Sequence, residues 1–292
     1  MTSILTNTSA MSALQTLRTI NSNLSTTQDR VSSGEKVGKA ADNVAYWSIS
    51  TTMNSDNKAL NAATDALGIG AAKVDTAYAA MDSAIDVVNE IKAKLTTASE
   101  TSVDKDQVQL EITKLQEQLT AIGQAASFNG ENWAIQDSAS STTVVDGFIR
   151  NSDGTVKVTT ATFNAGSYAL FDTIADGVGS NGILSAVMTI SLTSISTQGD
   201  IDAFMTTVES ALDTLTIGAA ALGALSTRID MQDEYSSKLS DAIEAGVSRL
   251  VDADMEEESA KLSALQTQQQ LAVQSLSIAN SSSENIMTLF RG

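Results

Sequence analysis

The sequence predicts a mainly α protein, in which both chain ends form a long antiparallel helical coiled-coil bundle and a small β-rich domain is inserted at its tip. Three observations predict this. Apolar residues recur at alternating spacings of four and three near both termini, heptads continue in the long segments between them, and the periodicity stops in the middle. Such spacing gives a narrow apolar stripe along one side of a helix, which suits packing against another helix.

The first and last helices are predicted from matching stripes at the two ends. The first stripe consists of Ala10, Leu14, Leu17, Asn21, Leu24, Gln28 and Val31. The last consists of Glu258, Leu262, Leu265, Gln269, Ala272, Leu276, Ala279, Ser283, Ile286 and Phe290. Neither stripe can be buried alone, so the two terminal helices have to pack against each other. The chain must therefore reverse its direction between them. The pattern predicts a terminal coiled-coil domain of residues 1–45 with 254–292.

Two longer helical legs are predicted between the terminal stripes. The outgoing leg carries heptads from Leu60 to Leu95 and, after a polar break, from Val108 to Ile122; Gly68 and Gly70 lie inside this run and indicate close helix packing. The return leg runs from Ile201 to Leu250, with Ser236 as its one polar interruption. At about 1.5 Å per residue this leg is roughly 75 Å long, well beyond an ordinary globular helix. The legs predict a helical rod domain of residues 46–131 with 196–253.

The middle of the chain, residues 132–195, predicts a small β-rich outer domain. Its short β-prone runs are 142–145, 148–150, 155–160 and 168–171, and the turn formers between them are Asp146-Gly147, Asn151-Ser152-Asp153-Gly154 and Asn181-Gly182. The stretch from Ile183 to Ile195 fits either a strand or the start of the return helix.

Composition argues against an enzyme. The 292 residues include no proline, cysteine or histidine, although average usage predicts about fifteen prolines. Without His or Cys a serine triad or a zinc site is excluded, and no catalytic residue, cofactor or metal site is expected. Asp252, Asp254 and Glu256 alternate as in a calcium loop, but Glu257 and Ser263 stand where that loop requires Gly and Glu. A solvated acidic stretch beside a helix N-terminus is the favoured interpretation.

The distribution of charge and the N-terminal sequence bear on the partners of the protein and on its route of export. The net charge is −18, yet residues 1–45 and 259–292 each sum to +1, so the acid lies in the middle legs and before the last helix. Near-neutral ends allow many copies to pack closely together. The sequence has no stripe of basic residues, so nucleic acid is not an expected partner. We expect no secretory signal peptide, because no Lys or Arg precedes Arg18, and no membrane span. A chain without proline refolds without slow cis/trans steps, which suits export in an unfolded state.

Several segments resemble the bacterial flagellins. These are DRVSSGEKVGKAADNVAYWSIS at 29–50, QAASFNG at 124–130, LGALSTRID at 222–230, SRLVDAD at 248–254 and NIMTLFR at 285–291. They occur in the order of that family and cover both termini and most of the helical legs. The short middle and the Ala45-Tyr46-Trp47 run look like the flagellins of rhizobia and related alphaproteobacteria.

The resemblance implies a secreted, extracellular subunit of the bacterial flagellum that polymerises into the filament, the helical propeller for swimming. It implies a homopolymer or a co-polymer with sister flagellins, export by the flagellar type III apparatus with its chaperone, and contact with hook-associated and cap proteins. The implied self-assembly interface is Leu14, Leu17, Leu24, Val31, Leu262, Leu265, Leu276, Ile286, Leu289 and Phe290. The implied spoke, which joins the inner and surrounding domains, is Ser32, Ser33, Gly34, Ala41 and Asp42.

Two other functions fit the pattern at this point. A hook-filament junction protein shares the terminal motifs and a similar length, but it is a trace component of filaments. A secreted helical adhesin or translocator is a further alternative, in which the tip domain binds a surface and the chain stays monomeric or forms small oligomers.

Overall fold

The computed structural model describes residues 7–175 and 178–291, with the backbone alone for residues 282–291. The helices are α1 (Thr8–Ser33), α2 (Val44–Ala98), α3 (Lys105–Ala125), α4 (Ser185–Met188), α5 (Gln198–Val251) and α6 (Met255–Arg291). The strands are β1 (Ser127–Phe128), β2 (Glu131–Asn132), β3 (Thr142–Arg150), β4 (Val156–Phe163), β5 (Thr173–Ala175) and β6 (Val178–Ser180). The predicted class is confirmed: long helices begin and end the chain, and the middle contains the strands.

Helix ends coincide with capping residues. Asp104 precedes α3 and accepts a hydrogen bond from the Asp106 amide at 3.0 Å. At the start of α5, Asp200 in the first turn pairs with Thr197, which precedes the helix. The Asp200 carboxylate accepts from the Thr197 amide at 2.7 Å and from its hydroxyl at 2.8 Å, while the Thr197 hydroxyl accepts from the Asp200 amide at 3.3 Å. This reciprocal pair is a capping box, which satisfies backbone N–H groups that a helix start leaves open.

The chain divides into two compact units, Met1–Asn57 with Asp241–Gly292 and Lys58–Ser240. The division into three domains at 1–45, 46–131 and 132–195 with their return segments stays a prediction.

The apolar core of the second unit joins its helices to its middle segment. Fully buried side chains on α2, α3 and α5 include Val74, Leu95, Ile112, Leu119 and Leu215. The same core contains side chains from the strand-bearing region and the loop after it, namely Val144, Leu170, Phe171, Leu184, Val187 and Ile190. The apolar heptad positions of α2, α3 and α5 therefore pack partly against strands and loops, and not only against other helices.

Glycines on the helices allow this close approach. A Cβ built on Gly70 would lie 2.1 Å from Val144 Cγ1, and one on Gly218 would lie 2.9 Å from Met81 Sδ. The prediction that Gly68 and Gly70 allow close helix packing is wrong: Gly70 packs closely against a side chain of β3, and a Cβ on Gly68 would have nothing within 4 Å. Residue 70 must lack a side chain so that Val144 can reach the core.

Strands β3 and β4 form an antiparallel hairpin with a bulge between Val145 and Gly147. The prediction of a turn at Asp146-Gly147 is wrong, because both residues lie inside β3. Asp146 lies at the bulge and forms an ion pair with Arg228 of α5 at 2.8 Å, although the two residues are far apart in the sequence. The real turn is at 151–154, where the Gly154 amide donates to the Asn151 carbonyl at 3.0 Å.

Two other middle segments are less regular than predicted. Residues 165–168 form a 3₁₀ helix, and Phe171 makes only an isolated bridge with Ile135, so the run at 168–171 is not a strand. The stretch 183–195 contains the short helix α4 followed by a loop. Buried Gln116 supports that loop by donating from Nε2 to the carbonyls of Val187 at 2.9 Å and Ile190 at 3.1 Å.

Among the described residues, α5 has the length and composition of a membrane-spanning helix, with an 18-residue window of mean hydropathy 1.3. This finding rests on length and composition alone, so the expectation of no membrane span stays a prediction. About a third of that window is buried, and Leu215 and Leu222 lie in the core. In this fold, the apolar residues of α5 contribute to the hydrophobic core.

Candidate assembly interface

Helix α1 is bounded by strong local signals. Asn7 caps its start, because the Asn7 side-chain oxygen accepts a hydrogen bond from the Ala10 amide at 2.9 Å. Gly34 ends it in the left-handed region at φ 76°, and its amide donates to the Arg30 carbonyl at 2.8 Å. Glycine adopts this conformation without a Cβ penalty, which explains the Ser-Ser-Gly stop seen in the sequence.

Helix α6 begins at the acidic stretch. The Asp254 carboxylate accepts hydrogen bonds from the amides of Glu256 at 3.0 Å and Glu257 at 3.2 Å, so it caps the helix. Three glutamates occupy the first turn, where negative charge complements the helix dipole. The interpretation of this stretch as a helix start agrees with the structure. Within the described part of the chain, no three Asp or Glu side chains are grouped so that they could hold a metal ion.

Helices α1 and α6 pack antiparallel, and we call them the terminal pair. Three polar contacts mark the register along its length. Asn7 Nδ2 donates to the Ala279 carbonyl at 3.0 Å, Gln269 Nε2 donates to Asn21 Oδ1 at 2.8 Å, and Arg30 Nη1 pairs with Glu258 Oε1 at 2.9 Å. Polar contacts inside a coiled coil fix which residues face each other, because a shifted register leaves them without partners.

The stripe of α6 lies where the sequence places it. Its least exposed described positions are Glu258, Leu262, Leu265, Gln269, Ala272, Leu276 and Ala279. On α1 the least exposed positions from Ala10 onward include Ala10, Ala13, Leu17, Ile20, Leu24, Thr27 and Val31. Leu14, Asn21 and Gln28 were predicted for this stripe, but they are exposed. The helix turns Ala13, Ile20 and Thr27 towards its partner instead, and this leaves Leu14 on the open surface.

Burial within the terminal pair is shallow. Of the described side chains of α1 and α6, Leu265 is the only apolar one that is buried; Leu17, Leu24, Val31, Leu262 and Leu276 are half-buried. Other large apolar side chains on the pair are exposed to solvent, namely Met11, Leu14, Met255, Leu271, Val273 and Ile278. The side chains of Ile286, Leu289 and Phe290 lie outside the part that the structure describes.

The predicted spoke residues lie at the end of α1, where Ser32 and Ser33 are its last residues, and in the connection between α1 and α2, which contains Gly34, Ala41 and Asp42. The Gly34 carbonyl accepts from the Ala253 amide at 2.8 Å, and the amides of Lys36 and Val37 both donate to the Val251 carbonyl. Asp42 closes a turn in this connection, since its carboxylate accepts from the amides of Gly38 and Lys39. The backbone of the connection is thus held against the junction of α5 and α6.

The remaining spoke residues are polar or small and exposed. Ser33 Oγ accepts a hydrogen bond from the Glu35 amide at 3.2 Å, whereas Ser32 and Ala41 lie on the surface. Sequence reasoning missed Val37, which is buried in the same connection. It also missed the Arg30–Glu258 pair, since two charges 228 residues apart give no local signal.

Comparisons with known proteins identify the family. Residues 4–137 match the family model of the bacterial flagellin N-terminal helical region, and residues 205–290 match that of the C-terminal helical region. Flagellin C of Rhizobium meliloti strain 1021 is 48% identical over 320 aligned positions that cover the whole of both chains. The chain belongs to the bacterial flagellins. As a flagellin it is a structural subunit of the flagellar filament.

Other flagellins also align with this chain along its whole length. Flagellin A of Rhizobium meliloti is 43% identical over 396 positions, and a flagellin of Brucella melitensis biotype 1 is 43% identical over 295, both with complete coverage of the two chains. The two family models leave out residues 138–204, which contain β3 to β6 and α4.

Proposed function

We propose that this flagellin is exported and polymerises outside the cell through its terminal pair. The observation that supports this is the shallow burial of α1 and α6, in which Leu265 alone among the described apolar side chains is buried. Coiled-coil helices of this length are normally stabilised by burying their apolar stripe. Neighbouring subunits supply the missing cover, so the pair becomes a complete core only in the filament.

The proposed interface has an inner and an outer part. The half-buried stripe holds the pair together, while an open groove between α1 and α6, lined by Ile20 and Leu271 among others, receives a neighbour. The interface comprises the predicted residues and, on the exposed side of α6, Ile278. The predicted residues are Leu14, Leu17, Leu24, Val31, Leu262, Leu265, Leu276, Ile286, Leu289 and Phe290. The end of α1 and the connection that follows it act as the spoke that fixes the terminal pair to the rest of the subunit, through Ser32, Ser33, Gly34, Ala41 and Asp42.

The role is structural, and we propose no catalytic activity and no cofactor. Export through the flagellar apparatus with a chaperone, and contacts with hook-associated and cap proteins at the filament ends, complete the proposed set of partners. Sister flagellins are proposed as co-polymerising partners, since Rhizobium meliloti flagellins A, B, C and D each align with this chain along its whole length.

Seeded polymerisation with a matched pair of variants tests the proposal. Ile278 is exposed on the terminal pair and Ile195 is exposed in the loop before α5, so either can be changed to Ser without opening a core. Burial of an isoleucine contributes about 1.5–3 kcal/mol, which corresponds to roughly a ten- to hundredfold change in an assembly constant. We expect Ile278→Ser to raise the critical concentration by that factor and Ile195→Ser to leave it nearly unchanged.

Both variants should keep the helical circular dichroism of the monomer. Equal critical concentrations for Ile278→Ser and the parent chain would contradict the assignment of the terminal pair as the assembly interface. Small soluble oligomers of the parent chain, without filaments in electron micrographs after seeding, would contradict polymerisation itself.

A further inference from the structure

Strands β1 and β2 are joined by the two-residue turn Asn129-Gly130. Asn129 has φ 52° and Gly130 has φ 85°, so both central residues are in the left-handed region that a type I′ hairpin turn requires. Both residues are exposed, and a Cβ on Gly130 would have nothing within 4 Å. The backbone of this turn therefore has free space around it.

An Asn-Gly pair is chemically reactive when its backbone is free to move. Glycine has no side chain that shields its amide nitrogen, and this nitrogen can close a small succinimide ring with the side-chain carbonyl carbon of the preceding asparagine. The strand pairing closes through Phe128 and Glu131, so the Gly130 amide between them takes no part in the ladder. Within the described ranges, no group forms a hydrogen bond with the Asn129 side chain. Both reacting groups are thus available.

A second Asn-Gly pair, Asn181-Gly182, has a similar conformation in a different setting. Its φ angles are 52° and 78°. A Cβ on Gly182 would lie 2.7 Å from Phe171 Cα, and the amide of the next residue, Ile183, donates to the Ala169 carbonyl at 3.1 Å. Ring closure requires rotation of the peptide unit after the asparagine. Packed backbone hinders this rotation in the second pair, whereas open space permits it in the β1–β2 turn.

We propose that Asn129 is a site of spontaneous deamidation, with water as the co-reactant. The Gly130 amide nitrogen loses its proton and attacks Cγ of Asn129; the bond from Cγ to Nδ2 breaks, and Nδ2 leaves as ammonia with that proton. Water then opens the succinimide ring. Hydrolysis at Cγ gives aspartate in the normal backbone, and hydrolysis at the backbone carbonyl carbon gives isoaspartate, in which the chain continues through Cγ. No oxidant or reductant is needed.

The residues after the turn make the product structurally significant. Lys73 Nζ pairs with Glu131 Oε2 at 2.7 Å, so a carboxylate at position 129 adds a like charge close to that pair. Asn132 Nδ2 donates to the Gly123 carbonyl of α3 at 2.7 Å, which fixes the end of the hairpin. Isoaspartate lengthens the backbone of a two-residue loop by one atom, so the strand register and the position of Asn132 cannot both be kept. The buried Trp133 that follows is expected to loosen.

Peptide mapping by mass spectrometry tests the proposal on the purified monomer. Trypsin cuts after Lys and Arg, so it places Asn129 in the peptide 115–150 and Asn181 in the peptide 158–228. After incubation of the folded chain in mildly alkaline buffer, we expect residue 129 to be converted several-fold faster than residue 181. In denaturant, where neither pair is held by the fold, the two rates should become similar.

Tryptophan fluorescence measures the structural consequence. In the Trp47→Phe variant, Trp133 alone emits, since the chain has two tryptophans. We expect its emission to shift to the red as position 129 is modified. The matched control is Asn129→Gly in the same background, because glycine keeps the positive φ but has no side-chain amide to react. This control should keep its emission through the same incubation.

Equal conversion of the two pairs in the folded chain, or conversion of residue 129 in denaturant alone, would overturn Asn129 as the reactive site. An unchanged Trp133 emission in chains that carry isoaspartate at position 129 would overturn the proposed loosening. All of these measurements use the monomer, so their outcome is independent of whether the terminal pair is the assembly interface.

Discussion

At the scale of single residues, the register of the terminal pair depends on the nearly buried carboxylate of Glu258. The side chain of Glu258 is 9% exposed, and its Oε1 pairs with Arg30, which comes from the Asp-Arg-Val-Ser-Ser-Gly stretch at the end of α1. A buried carboxylate without its partner is strongly unfavourable, whereas removal of both charges is tolerated far better. The pair therefore enforces the register of α1 and α6 more than it adds stability.

This predicts a non-additive mutant cycle. Arg30→Ala leaves Glu258 without its cation and should weaken the terminal pair by about 1–3 kcal/mol, which raises the critical concentration of assembly roughly tenfold or more. The double variant Arg30→Ala/Glu258→Ala should be no worse than Arg30→Ala alone. Effects of the two single changes that simply add in the double variant would show that the charges act independently.

Two glycines of α2 give a matched comparison of packing. A Cβ at Gly70 would overlap Val144, whereas a Cβ at Gly68 would have nothing within 4 Å. Gly70→Ala should lower the free energy of unfolding of the monomer by about 1–3 kcal/mol, because Val144 must move. Gly68→Ala should raise it by about 0.5–1 kcal/mol, since alanine is the better helix former. Denaturant unfolding measures both, and equal effects would contradict the close contact with β3.

At the scale of elements, α6 was predicted more accurately than α1. The stripe from Glu258 to Ala279 follows from the heptad spacing and agrees with the structure up to the last described side chain. For α1 the sequence allows two stripes that share Ala10, Leu17, Leu24 and Val31. The predicted stripe contained Leu14, whereas the structure half-buries Ala13 and leaves Leu14 exposed. A helix with apolar residues on two sides does not reveal from its sequence which side its own chain covers. In the proposed filament, the exposed side of α1 faces a neighbouring subunit.

The bulge in β3 shows a second limit of sequence reasoning. Asp146-Gly147 is a strong local turn signal, yet the strand continues through it while Asp146 pairs with Arg228, 82 residues away. Local turn chemistry was overridden by tertiary contacts. The turn at 151–154 has its side-chain and backbone bonds within the loop, and it was predicted correctly.

The capping box of α5 predicts a pH-dependent helix start. Hydrogen bonds from the Thr197 amide and hydroxyl hold the pKa of Asp200 below its usual value. A lowered pKa means that the cap stabilises the helix above the usual aspartate pKa and is lost as the pH falls through the lowered value. We expect hydrogen-exchange protection in the first turn of α5 to fall on acidification in the parent chain. Asp200→Ala should lower this protection already at neutral pH.

The control for the cap is Asp213→Ala, an exposed change within the same helix. It should leave protection of the first turn and its pH dependence unchanged. If Asp200→Ala keeps the acid-dependent loss of protection, a group other than this cap is responsible.

At the scale of the whole molecule, net charge opposes assembly while near-neutral ends permit it. The charge of −18 acts between subunits over about 10 Å at 0.1 M salt and over about 30 Å at 0.01 M. The critical concentration should therefore fall as salt rises from about 0.01 M to about 0.15 M. A critical concentration independent of salt would mean that the acidic side chains do not face one another in the filament.

The central claim is that α1 and α6 form an incomplete core in the monomer, which neighbouring subunits complete. Amide hydrogen exchange of the same purified chain, measured as monomer and as filament, tests it most directly. The account predicts fast exchange in α1 and α6 of the monomer, slow exchange of the same amides in the filament, and little change in the buried stretch of α2 from Leu67 to Leu95. Equal protection of α1 and α6 in both states would contradict the claim.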